Sequence, residues 1–201
     1  QVFYVGNPLS EKYESRSAYE PESKKVLLLP GSRAQEVRRL LPIFYNLAAL
    51  HYEYSFVVVR APGAESFSPQ MATPENVEIA DAPISDVARG IRFAFTCSGT
   101  ASLEISLLRI PQAVVYRANP LSLAIARSLV RVPYFSLPNL ILNKEAVPEL
   151  LQNEVNAEAL SKMLDGDHHQ QISDCQLLIE CMGEQKLEQS AISRMVKLIE
   201  S

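Results

Sequence analysis

The chain has 201 residues, 47% of them hydrophobic and 21% charged, with a formal net charge of −4. That is an ordinary globular mix, long enough to bury a core, and the acidic balance excludes a generally basic, nucleic-acid-binding surface. Three cysteines (Cys97, Cys175 and Cys181) are too few and too scattered for a disulfide framework, which points to a reducing, cytosolic setting.

The opening QVFYVGNPLSEKYE reads as a strand and a polar loop rather than a signal peptide. The chain starts at Gln1 and not at methionine, which leaves open a longer parent protein. The first clear strand is Val26–Pro30, followed by a helix over Arg33–His51. A strand at Phe56–Arg60 leads into the proline-rich loop Arg60–Asn76, then a strand at Val77–Ala80 and a helix at Ile84–Arg89. Strand Phe93–Cys97 precedes helix Thr100–Leu108, and strand Gln112–Tyr116 precedes helix Ser122–Val130. A sixth strand is expected at Phe135–Leu137, with helices at Val147–Leu151 and Ala157–Leu164. Runs such as VLLL, FVVV and AVVY are apolar throughout, which marks strands covered on both faces. Their alternation with helices gives a doubly wound, Rossmann-like parallel α/β sheet, assigned to residues 1–165. Residues 166–201 show no strand signal and read as a helical tail, two helices broken at Gly183. No apolar run reaches the roughly 18 residues of a membrane span.

Two turns have the make-up of anion sites. In PGSRAQE, Gly31 permits a tight turn after the strand, and Ser32 and Gln35 have capping-box spacing, which predicts a helix start at Ser32. Arg33 then sits in the first turn, where the helix dipole disfavours a cation. A bound anion would reverse that sign, with backbone N–H groups, the Ser32 hydroxyl and the Arg33 guanidinium converging on it. The alternative is a local ion pair between Arg33 and Glu36. In FAFTCSGTASLE, Ser98, Gly99 and Thr100 again place small, hydroxylated residues at a helix start. Glu104 follows Thr100 by four residues on the same helix face and leans back over that turn. A carboxylate there can accept from a vicinal diol, so diphosphate at the turns and ribose beside Glu104 describe a nucleoside diphosphate. Both turns follow strand ends, where ligands of open parallel sheets bind. Neither a Walker loop nor a Gly-x-Gly-x-x-Gly loop occurs.

The motifs YVGNPL (4–9), LLPGSRAQEVRRLLP (28–42), CSGTASLE (97–104), VVYRANPLSLAIARSLVRVPYFSLPNLI (114–141) and VPELLQ (147–152) resemble, in order and spacing, the C-terminal half of lipid-A-disaccharide synthases. The resemblance implies one half of a GT-B fold that holds a UDP-sugar donor. It implies transfer of 2,3-diacylglucosamine from UDP-2,3-diacylglucosamine to 2,3-diacylglucosamine 1-phosphate, in lipid A synthesis. It supports Gly31, Ser32 and Arg33 at the donor diphosphate, Ser98, Gly99 and Thr100 as the second phosphate-facing turn, and Glu104 on the ribose. It adds Tyr116, Arg117, Asn139 and Gln152 near the same cleft, although Asn139 could instead close the turn after Pro138 and Gln152 cap a helix end. Asn7 stands where the family usually has His. No metal and no cofactor beyond the donor is implied, since helix dipoles and basic side chains can neutralise a departing diphosphate. The general base belongs to the family's N-terminal half, so the chain alone is expected to bind donor without catalysing transfer. A UDP-N-acetylglucosamine 2-epimerase and a non-catalytic nucleotide-sugar domain are the alternative readings.

Other signals read more blandly. Asn119–Phe135 is first a half-buried helix, with Arg127 and Arg131 on a membrane interface as the alternative. The acylated substrates argue separately for peripheral association with the cytoplasmic face of the inner membrane, and the tail offers a surface for a homo-oligomer. His168 and His169 are expected to flank an exposed loop. Asp165 and Asp167 do not make a metal site with them, and Cys97 at a buried strand end is expected to pack rather than react.

Overall fold

Six parallel strands run in the order 3-2-1-4-5-6: β1 (Lys25–Leu29), β2 (Ser55–Val59), β3 (Val77–Ala80), β4 (Phe93–Thr96), β5 (Gln112–Tyr116) and β6 (Glu149–Leu151). The computed structural model describes residues 9, 13, 17–61, 71–97, 99–117 and 133–183. The helices among them are α1 (Ala34–Leu50), α2 (Ile84–Val87), α3 (Gly99–Leu107), α4 (Leu137–Leu142), α5 (Ala157–Leu164) and α6 (His169–Gly183). The expected helix Ser122–Val130, the opening residues 1–8 and the last expected helix lie outside the described residues.

Strand periodicity divides the apolar runs between two layers. Val26, Leu28, Phe56, Val58, Phe93, Phe95, Ala113 and Val115 face α1 and α5, packing on Leu40, Phe44, Leu47, Leu160 and Leu164. Leu27, Leu29, Val57, Val59 and Ala94 face the other way, onto Leu103, Ile105 and Leu107 of α3 and Leu178 and Met182 of α6. This two-sided burial is why the runs lack polar alternation. It also shows that the inner face of α6 belongs to the same core as the sheet, with Cys175 buried beside Leu178.

Three sequence expectations need correction. Phe135–Leu137 is not a strand: Leu137 opens α4, with Pro138 in the first turn, where its missing N–H costs nothing. The sixth strand is instead Glu149–Leu151, inside the segment expected to be helix Val147–Leu151; it pairs in parallel with β5 through Val114, Val115 and Tyr116. Pro148 resists a helix interior, and three residues are too few to show a strand period. Third, His168 follows the exposed stretch Asp165–Asp167 but is itself buried. It is 8% exposed, with its ring centroid 4.7 Å from that of Phe93.

One polar residue ties four elements together. Gln112, fully buried at the start of β5, donates from Nε2 to the Ser102 carbonyl (2.7 Å) and Ser106 Oγ (2.9 Å) of α3, and accepts from Thr96 Oγ1 (3.1 Å) of β4. Its backbone N–H donates to Gln171 Oε1 (2.9 Å) of α6. We expect Gln112→Leu to lower the free energy of unfolding by roughly 2–4 kcal/mol in urea titrations, because it strands buried partners at about 1–3 kcal/mol each.

His168 supplies a pH dependence. Burial pushes its pKa below the ordinary 6.5; Arg92 and His169 add to that, while the Leu164 carbonyl and Asp167 oppose it. The ring's Nε2 has no hydrogen-bond partner among the described residues. The unfolded chain therefore binds the proton more readily than the folded one. Stability is fully present above about pH 6.5 and falls as pH drops below it towards the folded value. His168→Phe should flatten the slope of stability against pH between about pH 5 and 7, measured by thermal unfolding across that range.

Candidate functional site

The strand order reverses between β1 and β4, and the loops that leave their carboxyl ends diverge to opposite sides of the sheet. The first of these loops holds Gly31, at φ +102°, a conformation that a side chain would strain. A Cβ there would also run into the Glu36 carboxylate. Ser32 and Arg33 follow, both exposed. The helix starts later than the Ser-x-x-Gln pattern suggests: Arg33 is the N-cap of α1 and extended, and Ala34 is the first helical residue. Glu36, not Gln35, completes the cap, accepting the Arg33 backbone N–H at 3.2 Å. Its second oxygen pairs with Arg33 Nη1 at 3.1 Å, so the local ion pair is present. The Arg33 side chain nevertheless remains 79% exposed, which leaves most of the guanidinium open to solvent beside the Gly31–Ser32 turn.

The second loop delivers Gly99 and Thr100 to the start of α3, with Thr100 exposed. Ser98 lies outside the described residues. A Cβ on Gly99 would stand 3.4 Å from Leu137 Cγ, so the start of α4 lies beside this turn. One turn along α3, Glu104 is half-buried and accepts a hydrogen bond from the Tyr13 hydroxyl.

Between the Gly31–Ser32 turn and the Ala101–Glu104 turn of α3 opens a cleft of about 520 Å³, whose lining does not include Arg33, Gly99 or Thr100. Gly31, Ser32 and Glu104 line one side of it, and Arg60 and Asp81 stand at the ends of β2 and β3. Its remaining walls are apolar, including Val59, Ala82, Pro83, Ile84 and Ala101. Arg60 grips Asp81 through Nε (2.5 Å) and Nη2, and that hydrogen bonding holds the Asp81 carboxyl below its usual range. A flat ring between apolar walls, a diol on Glu104 and an anion at the Gly31 turn are what such a cavity can take. The sequence reading missed Arg60, Asp81 and Tyr13. Arg60 carries a legible signal, a charged residue just past an apolar strand, at the carboxyl end where ligands of open parallel sheets bind.

The other expected residues sit apart from this cleft. Tyr116 is half-buried at the end of β5, and Arg117 beyond it is exposed, its carbonyl accepting from Arg39 Nη1 at 3.3 Å. Gln152 follows β6 in the left-handed region at φ +55°. Asn139 is fully buried and its amide is committed: Nδ2 donates to the Val147 carbonyl (2.7 Å) and Glu149 Oε1 (2.8 Å), and Oδ1 accepts from Val147 N–H (2.8 Å). It braces the chain after Pro138, the alternative its position allowed. Among the described residues no group of three His, Cys, Asp or Glu could hold a metal, and no helix is long and apolar enough to cross a membrane.

Cys97 ends β4 just before the Gly99 turn. Burial pushes its thiol up to about 12; Glu36 adds to the rise and Arg33 opposes it. Cys175 is likewise raised by burial to about 12.

Comparison with known proteins places these features. A family model described as lipid-A-disaccharide synthetase matches residues 1–196. The lipid-A-disaccharide synthase of Psychromonas ingrahamii is 36% identical over 200 residues, covering 90% of this chain and 52% of that protein. That of Persephonella marina is 32% identical over 182 residues, covering 81% and 48%. The chain thus spans about half the length of the curated relatives it matches. Among solved structures, the spinosyn forosaminyltransferase SpnP superposes with a TM-score of 0.62 at 14% identity, covering 95% of this chain and 46% of that one. The glycosyltransferase SnogD from Streptomyces nogalater gives 0.57 at 12%, covering 90% and 44%. The fold is therefore that of one half of a GT-B glycosyltransferase.

The thiols offer a direct check on the geometry. With Cys97 and Cys175 buried and Cys181 exposed, iodoacetamide at neutral pH should modify Cys181 at least ~10-fold faster than the other two, read by peptide mass spectrometry. Equal rates would contradict the packing around the β4 end.

Proposed function

The chain belongs to the lipid-A-disaccharide synthetase family, and from that premise we propose that it is the donor-binding half of the enzyme. In this reading the whole protein transfers 2,3-diacylglucosamine from UDP-2,3-diacylglucosamine to 2,3-diacylglucosamine 1-phosphate. The acceptor hydroxyl forms a new bond to the anomeric carbon, the bond from that carbon to the UDP oxygen breaks, and the hydroxyl proton passes to a base outside this chain. What this half supplies is binding and charge stabilisation. Family membership favours transfer over the epimerase and non-catalytic readings.

The observation that carries the reading is the single cleft shared by the Gly31–Ser32 turn and Glu104 at the strand-order reversal. Glu104, oriented by Tyr13, takes the ribose diol; the apolar walls at Val59, Ala82 and Pro83 flank the base; the diphosphate lies between the starts of α1 and α3. As UDP leaves, negative charge grows on its diphosphate. The N–H groups and dipoles of the two helix starts stabilise that charge, and the Arg33 guanidinium joins them by turning from Glu36 to the anion. Glu36 keeps the guanidinium extended over the turn when no anion is present. Both substrates carry acyl chains, so the reaction belongs at a membrane surface, which we place at the cytoplasmic face of the inner membrane.

Titration calorimetry with UDP and ATP tests the reading: UDP should bind and ATP should not compete. Arg33→Met should weaken UDP by roughly 10–100-fold, the worth of a charge-assisted contact. Glu104→Ala should abolish the preference for UDP over its 2′,3′-dideoxy analogue. Unchanged UDP affinity in Arg33→Met would remove the diphosphate assignment.

A further inference from the structure

The first residue of β6, Glu149, is a carboxylate whose surroundings go beyond helix packing. Glu149 Oε1 accepts from the Ser136 backbone N–H (2.8 Å), the Ser136 hydroxyl (2.7 Å) and Asn139 Nδ2 (2.8 Å), while Oε2 accepts from the Phe135 N–H (2.9 Å). Four donors thus converge on one side chain from the turn that opens α4. Ser136 is the N-cap of α4 and of the residue type best suited to cap it, yet its side chain makes no capping bond there. The hydroxyl is given to the sheet edge instead. Asn139 is locked in turn by Val147 on both its amide atoms, so its Nδ2 can face only Glu149 and the Val147 carbonyl.

Between these two anchored residues stands Leu137, the side chain that a Cβ on Gly99 would meet at van der Waals distance. Ser136 and Asn139 are fully buried, and Leu137 packs into the apolar layer that also holds Ala101 and Leu103 of α3. The position of Leu137 therefore bears on how close the start of α3 lies to α4, and hence on where the N–H groups of that helix start point. We propose that Glu149 is a positioning residue for the donor diphosphate: by holding Ser136 and Asn139 it fixes Leu137 against the Gly99 turn. The proposal rests on the nucleotide reading of that turn. Glu149 itself touches none of the cleft residues and acts through α4.

The test uses the 201-residue chain. Glu149→Gln keeps the shape but turns one acceptor oxygen into a donor facing donors. It should speed hydrogen exchange across Gly99–Leu107 in the ligand-free protein and raise the Kd for UDP about 10-fold, as expected when the support of a site loosens. Ser136→Ala removes only the hydroxyl link, should shift both readouts in the same direction by a smaller factor, and serves if Glu149→Gln does not fold. Asn76→Ala is the control. It loses bonds to the carbonyls of Ala48, His51 and Tyr54 at the opposite edge of the sheet, and should lower Tm while leaving UDP binding and exchange in Gly99–Leu107 alone. If the Glu149 and Ser136 variants lose stability as the control does but keep wild-type exchange in Gly99–Leu107, the proposal is overturned, whatever UDP does. Faster exchange with unchanged UDP affinity overturns it too. A wild-type chain that fails to bind UDP removes the nucleotide reading of the site, while the exchange comparison still decides the link from Glu149 to the Gly99 turn.

Discussion

Parallel pairing of β1 with both β2 and β4 is the constraint on which everything else in this molecule rests. A central strand with parallel neighbours on both sides must be buried on both faces, which is why Val26 to Leu28 are wholly inaccessible. It must also feed crossovers to opposite sides of the sheet, because the order reverses there. The crevice between those crossovers is a topological consequence, and the chemistry of the two turns is fitted into it. Leu29 belongs to both: it closes the apolar layer under α3 and lines the floor of the cleft.

Within that crevice, Arg33 shows how a charge can wait for a ligand. A guanidinium at a helix start is opposed by the dipole, while a carboxylate in the first turn is favoured by it. Placing Glu36 three residues after Arg33 satisfies both, since the acid accepts the N-cap N–H and holds the base in place. The pair is open on one side only, with the Arg33 side chain 79% exposed and that of Glu36 13%, so an arriving anion reaches the base and not the acid. The same carboxylate explains Gly31, because a side chain there would strike it. Glycine, acid and arginine thus form one device, with the glycine admitting the acid and the acid orienting the arginine.

The sheet was largely legible because its signal is local. Five strands read as apolar runs bounded by Gly, Pro or charge, and each falls within a residue or so of its observed place. The sixth was misread because Glu149–Leu151 is three residues long and follows a proline, while Phe-Ser-Leu at 135–137 has the alternation of a strand without a neighbour to pair with. Long-range pairing decides between such segments, and no local pattern records it. The same limit applies to the site. Ser32, Arg33 and Glu104 declare themselves through spacing at helix starts. Arg60 and Asp81 are separated by a loop, and only the register of β2 with β3 brings them together. His168 shows a third kind of failure: polarity suggested exposure, but the fold stacks it on Phe93 and accepts the desolvation.

Asn139 and Glu149 extend this lesson to the motifs that carried the family resemblance. SLPN and ELLQ lie ten residues apart, and the side chains that join them are consumed by each other rather than turned to a ligand. A motif can therefore mark a functional site without touching it, when the geometry of one turn depends on a bond made elsewhere. The glycine at 99 is where the two approach, since a Cβ there would stand 3.4 Å from Leu137 Cγ. Two loops that seem independent along the chain, one at the start of α3 and one at the start of α4, are in this way parts of a single wall. The carboxylate that opens the last strand ties that wall to the sheet through Ser136 and Asn139.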